Sequence, residues 1–83
     1  MDWKERINID PEICHGKPVV RGTRMPVEYV LDSLAGGMSF AEIQQEYDLT
    51  ADDIRASLMF AQELIEQKQA VQELVEQKQA IPA

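Results

Sequence analysis

Between residues 16 and 27 the chain reads Gly16-Lys17-Pro18-Val19-Val20-Arg21-Gly22-Thr23-Arg24-Met25-Pro26-Val27, and no other stretch restricts the backbone as strongly. Pro18 fixes its own φ and pushes Lys17 into an extended conformation. Gly22 permits the positive φ that a tight turn requires. Pro26 suits the first position of a helix opening near Val27, where a missing N–H costs nothing. The stretch therefore predicts a strand, a tight glycine turn and entry into a first helix. It also divides the sequence. Before it lie short apolar pairs broken by Asp10-Pro11; after it the apolar spacing is helical almost to the end.

A chain of 83 residues makes one small domain with a thin core, which predicts a partner or a second copy. One cysteine excludes an internal disulfide and fits a reducing compartment. No stretch approaches the roughly 18 apolar residues of a membrane span, and Met1-Asp2-Trp3-Lys4-Glu5-Arg6 does not read as a signal peptide. A soluble cytoplasmic protein with no membrane partner is the expectation.

The net charge of −7 is unevenly spread: residues 1–24 carry five basic and four acidic side chains, residues 25–83 three and eleven. Helices this acidic repel phosphate, since nucleic-acid affinity rests on Lys and Arg contacts that release counterions. Any DNA-binding surface must therefore draw on Lys17, Arg21 and Arg24. The alternative is that these are ordinary solvated charges.

Taken in order, Ile7-Asn8-Ile9 alternates as a half-buried strand does, and Val19-Val20 is a second β-type pair. The connector from Glu12 to His15 suggests one helical turn. Val27, Val30, Leu31 and Leu34 form one apolar stripe, which predicts a first helix over 27–35 stopped by Gly36-Gly37. Ser39 and Glu42 form a capping box for a second helix with Phe40, Ile43 and Tyr47 inward. After an Asp48-Leu49 turn, Thr50 caps a third helix with Ile54, Leu58 and Ala61 inward and Asp52 and Asp53 in its first turn. The expected fold is mainly α: a trihelical helix-turn-helix-like domain over 1–64, with a short N-terminal β element and a long C-terminal helix. Of the outward positions Ala51, Asp52, Asp53, Arg55, Ala56 and Ser57 on the would-be recognition helix, only Arg55 could bind a guanine bidentately. A trihelical protein-interaction scaffold fits the pattern equally well.

The run Ile13-Cys14-His15-Gly16-Lys17-Pro18-Val19-Val20-Arg21-Gly22-Thr23-Arg24-Met25-Pro26-Val27, with Leu34-Ala35-Gly36-Gly37-Met38-Ser39 and Thr50-Ala51-Asp52-Asp53-Ile54, resembles the family known as domain of unknown function 433. The resemblance covers about residues 5–64. It implies a homeodomain-like or winged-helix fold, a prokaryotic origin and a VapB-like antitoxin that pairs with a PIN-like ribonuclease toxin and represses its own promoter. An enzyme is not expected: Cys14-His15 lacks the further ligands of a zinc site and the spatial pairing of a nucleophile with its base. Neither a metal nor a cofactor is expected.

The tail, residues 65–83, is mostly a duplication. Gln62–Val71 returns as Gln72–Ile81 with only Ile65 and Val71 exchanged for other β-branched residues. Ten residues turn a helix through about 1000°, so the second copy faces a rotated direction. A heptad seam of Ala61, Leu64, Lys68, Val71, Val75 and Lys78 is weak, because two of its six positions are lysine. Leu64, Ile65, Val71, Leu74 and Val75 are the candidate partner-binding residues. Three readings stay open: a frayed solvated helix, helix pairing in a homodimer or higher oligomer, and an amphipathic arm for a toxin groove.

Overall fold

In the computed structural model, residues 1–79 are described, with side chains as far as Ala70 and at Gln72. A 3-10 turn at Trp3–Glu5 leads into β1 (Ile7–Asn8); a second turn at Cys14–Gly16 leads into β2 (Val19–Val20). The helices are α1 (Val27–Ala35), α2 (Phe40–Tyr47) and α3 (Ala51–Gln79). The expected class, mainly α with a short β element and a long last helix, is the one observed.

β1 and β2 pair antiparallel, with Ile7 opposite Val20 and Asn8 opposite Val19. Two-residue strands hold only by leaning on something else, and Ile7, Val19 and Val20 are all buried against the helices. Ile9 does not join them. The strand ends at Asn8 because Asp10 opens a turn by accepting the Glu12 N–H at 2.9 Å, and Ile9 is left 58% exposed.

From Val20 the chain doubles back on itself. Gly22 has φ +80°, and the Val20 N–H donates to the Met25 carbonyl at 2.9 Å. Thr23 locks the loop by donating its hydroxyl to the Val20 carbonyl and accepting the Met25 N–H. Pro26 stands one residue before α1 and not at its first position: its ψ of 139° is extended, which lets it bridge to Val19.

The turn at Cys14–Gly16 has the opposite hand to a helix. Cys14, His15 and Gly16 have φ of 49°, 58° and 82°. The Gly16 and Lys17 amides donate to the Ile13 and Cys14 carbonyls. Left-handed backbone costs a residue with a Cβ about 1–2 kcal/mol, so contacts elsewhere must hold two such residues there.

α1 buries Val27 and Val30, with Leu31 and Leu34 half-buried beside them. Gly37, at φ +99°, ends the helix as the sequence predicts. α2 carries the full capping box: Ser39 Oγ accepts the Glu42 N–H, and Glu42 accepts the Ser39 N–H, both at 3.1 Å. Asp48 takes the left-handed position at its end (φ 54°). Thr50 and Asp53 repeat the reciprocal cap at the start of α3, at 3.1 and 3.0 Å.

The core forms two adjoining clusters. Val20, Val30, Ile43, Leu49 and Ile54 make one, with Phe40 and Tyr47 half-buried on it. Ile7, Val27, Ala56 and Phe60 make the other, closed by Trp3, whose ring meets Phe60 edge-on at 5.4 Å. This second cluster moves the buried side of α3 away from its expected place. Ile54 is inward and Ala61 half-buried, but Leu58 is 42% exposed, while Ala56, Ser57 and Phe60 are buried. At about 100° per residue Leu58 lies roughly 40° past Ile54, on the side away from Phe60; docking of Trp3 and Ile7 on Ala56 and Phe60 turns the helix accordingly. The buried Ser57 hydroxyl donates to the Asp53 carbonyl at 3.0 Å, so it carries no unmet polar group.

Candidate functional site

α2, the Asp48-Leu49-Thr50 turn and α3 form the helix-turn-helix pair, with α1 packed across both. The first turn of α3 is where such a unit meets a duplex. Its surface differs from the expected one, since Ala56 and Ser57 face the core and Asp52, Arg55, Leu58 and Met59 remain accessible. Arg6, not among the sequence candidates, reaches this turn from the N-terminal segment. Its guanidinium lies 3.2 Å from Asp53 and 3.6 Å from Asp52. Arg55 holds Asp52 at 3.1 Å from within the helix. The two aspartates that would repel phosphate are thus matched by two arginines.

Arg21 borders the same cluster but works on the backbone. Its guanidinium donates to the carbonyls of Glu5 (2.7 Å), Lys4 (3.5 Å) and Ile7 (3.4 Å). Its amide also donates to the Arg6 carbonyl at 2.7 Å. Arg21 therefore clamps the N-terminal segment that carries Arg6 and Trp3. A hollow of about 250 Å³ opens between Glu5, Arg6, Arg21 and Asp53.

Lys17 and Arg24 stand apart from this cluster. Lys17 Nζ lies 2.9 Å from Glu28 Oε1, and that hydrogen bond and charge raise the lysine pKa above its ordinary value. Arg24 is exposed, and among the described residues its guanidinium has no ion pair or hydrogen bond; its carbonyl receives the Cys14 thiol at 3.7 Å. Of the four sequence candidates, Arg21 and Arg55 each border the Arg6–Asp52–Asp53 cluster at the start of α3, and the other two do not.

A second feature lies between α1 and α3. Val27, Leu31, Phe60, Ala61 and Leu64 line an apolar groove of about 240 Å³ with Pro18 at its end, and the Lys17–Glu28 pair sits on its rim. Beyond it α3 leaves the body of the domain. Leu64 and Ile65 are 49% and 57% exposed. The other candidate partner-binding side chains, Val71, Leu74 and Val75, lie outside the described ones. Among the described residues no cluster of His, Cys, Asp and Glu could hold a metal ion. No described helix is long and apolar enough to cross a membrane.

Residues 7–61 match the family described as protein of unknown function (DUF433). The uncharacterized protein y4eO of Sinorhizobium fredii is 38% identical over 60 residues, 71% of this chain. The chain spans only 27% of that relative's length. A crystal structure of a DUF433 member from Anabaena variabilis superimposes with a TM-score of 0.68 at 32% identity, covering 75% of this chain and 62% of that one. The chain belongs to the DUF433 family. Trp3 and Arg6 precede the matched span.

Proposed function

We propose that this DUF433 protein is an antitoxin-type regulator of the cytoplasm, not an enzyme, which self-associates, sequesters a PIN-like ribonuclease toxin and represses its own promoter. What supports the reading is the division of α3: its first turn follows the turn of a helix-turn-helix, while its second half leaves the domain with Leu64 and Ile65 half-exposed. One helix thus offers a duplex-facing end and a partner-facing end. Of the four sequence candidates, Arg24 is the cation with no competing carboxylate among the described residues, and Arg21 acts by holding Arg6 and the N-terminal segment in place. Arg55 and Lys17 each reach phosphate only by sharing it with a carboxylate, Asp52 and Glu28.

One observation favours a second reading, a protein-interaction module without a DNA role. The first turn of α3 carries Asp52 and Asp53 and only balances them with arginines. Titrating labelled promoter DNA, with and without the product of the adjacent gene, separates the two. The antitoxin reading expects binding at low salt that tightens with the partner and disappears in Arg24→Ala/Arg55→Ala, a variant chosen to spare the Arg21 clamp. The net charge of −7 weakens that binding, and its salt dependence follows the number of phosphates the arginines contact. A tight complex with the partner and no DNA binding in either form leaves the interaction module. Failure to bind either one overturns both.

A further inference from the structure

We propose that the N-terminal segment, residues 1–6, is a charge-latched strap: it opens from α3 as a unit, hinged at Ile7, while the three helices stay folded. The Arg6 pairs with Asp52 and Asp53 set how often it opens. The strap works this way whether or not the chain meets DNA or a toxin.

The segment is built as one piece. Its 3-10 turn is closed by the Arg6 N–H, which donates to the Trp3 carbonyl at 3.0 Å, and capped by Asp2, whose carboxylate accepts the Lys4 N–H at 3.1 Å. The indole and the guanidinium therefore sit at the two ends of a single turn. On α3 they meet Phe60 and Asp53, two helical turns or about 10 Å apart. Neither end lifts far without the other. The family-matched span, residues 7–61, begins at the hinge.

What holds the strap is weaker than what holds the body. No residue from Met1 to Arg6 is buried, whereas Ile7 is 6% exposed and anchored in the second core cluster. Arg6 and Asp52 keep 37% and 42% of their side chains in solvent, and pairs so exposed contribute little. Of the three carbonyl contacts of the Arg21 guanidinium, only that to Glu5 is short, at 2.7 Å; the other two are 3.4 and 3.5 Å. The remaining anchor is one edge-on aromatic contact from a half-buried indole. Local opening draws on segments of this kind, with few buried apolar groups and exposed hydrogen bonds.

Opening changes the surface in two ways. Closed, the first turn of α3 sets Arg6 and Arg55 against Asp52 and Asp53, two charges against two. Open, Arg55 alone faces both carboxylates, and Phe60 loses the ring that covers it. An acidic patch and an apolar one are thus bared together. Salt separates strap from body by sign. Screening weakens the Arg6 pairs, but it also relaxes the self-repulsion of a chain at −7, so the body is not loosened.

Native-state hydrogen exchange on the full chain is the test, with the single tryptophan, Trp3, as a second reporter through its emission. The Arg6 and Arg21 amides, which donate to the Trp3 and Arg6 carbonyls, report the strap; the Ile43 and Ile54 amides report the body. Raising sodium chloride from about 0.05 to about 1 M speeds strap exchange about fivefold and shifts Trp3 emission to the red, while the body amides hold or slow. Arg6→Gln gives the same increase at low salt and removes the salt response. Lys17→Gln, which deletes an exposed pair elsewhere, changes strap exchange by less than about twofold. Trp3→Ala speeds both strap amides by about tenfold, because the indole and Arg6 release together. Strap amides that exchange no faster than the body overturn the strap. So does an Arg6→Gln chain that keeps the salt response, or a Trp3→Ala chain whose Arg21 amide is unchanged.

Discussion

The two halves of α3 have similar helix-forming residues and very different surroundings. Up to Ala61 the helix is sorted: Ile54, Ala56, Ser57 and Phe60 are buried, and Asp52, Asp53 and Arg55 are tied to charges. From Gln62 to Ala70 every side chain is exposed except Glu63, which is half-exposed. Most helix stability in proteins comes from packing an apolar face, with propensity a minor addition. The comparison shows one continuous element carrying the fold at one end and offering surface at the other.

The sharpest way to break that contrast is to remove the same side chain from each half. Ile54→Ala empties a position with no solvent exposure and should lower the unfolding free energy by about 2–5 kcal/mol in urea titrations. Ile65→Ala, measured in samples dilute enough to be monomeric, should shift it by less than about 0.5 kcal/mol. Equal losses would mean that the outer half is also folded onto the domain.

A smaller effect sharpens the picture of what supports the inner half. A Cβ on Gly22 would meet nothing within 4 Å, so Gly22→Val probes backbone conformation alone at φ +80°. It should cost more than about 1 kcal/mol by thermal unfolding, through strain in the loop that feeds α1. An unchanged melting temperature would show that the turn relaxes freely.

The smallest effect concerns pH. The Ser39 backbone N–H, and secondarily its hydroxyl, hold the Glu42 carboxyl below its ordinary pKa. A folded pKa below the unfolded one means the contribution is complete at neutral pH and fades as acid titrates the folded carboxylate. Wild type and Glu42→Gln should therefore differ in stability at pH 7 and converge on acidification; a gap that stays constant would assign it to something other than the charge.

Much of this scaffold was legible in the residues, and for identifiable reasons. The spacing of Val27, Val30, Leu31 and Leu34 set α1, and the side chains of Ser39, Glu42 and Thr50 marked helix starts because they bond to backbone three residues away. Gly22 and Gly37 announced positive φ. What escaped depends on partners distant in sequence. Arg6 meets Asp53 across 47 positions, and nothing near Arg6 signals it. Leu58 fits the same helical stripe as Ile54, and only Trp3 packing on Phe60 decides that it faces outward. The left-handed Cys14-His15 turn has only a weak local signal, because histidine takes that backbone more readily than most residues but cysteine does not. At the candidate site, composition found the cations Lys17, Arg21, Arg24 and Arg55 but could not say which are engaged internally.

The N-terminal clasp has a consequence for how the chain is made. Trp3 and Arg6 leave the ribosome early, yet their partners Phe60, Asp52 and Asp53 arrive almost a domain later. Contacts so far apart in sequence close late, after local helices and caps have formed. Trp3 and Arg6 are therefore among the last of these residues to dock, and until then the Phe60 side of α3 stays open to other molecules. A nascent chain of this protein passes through a stage in which this segment is still waiting for the helix that will receive it.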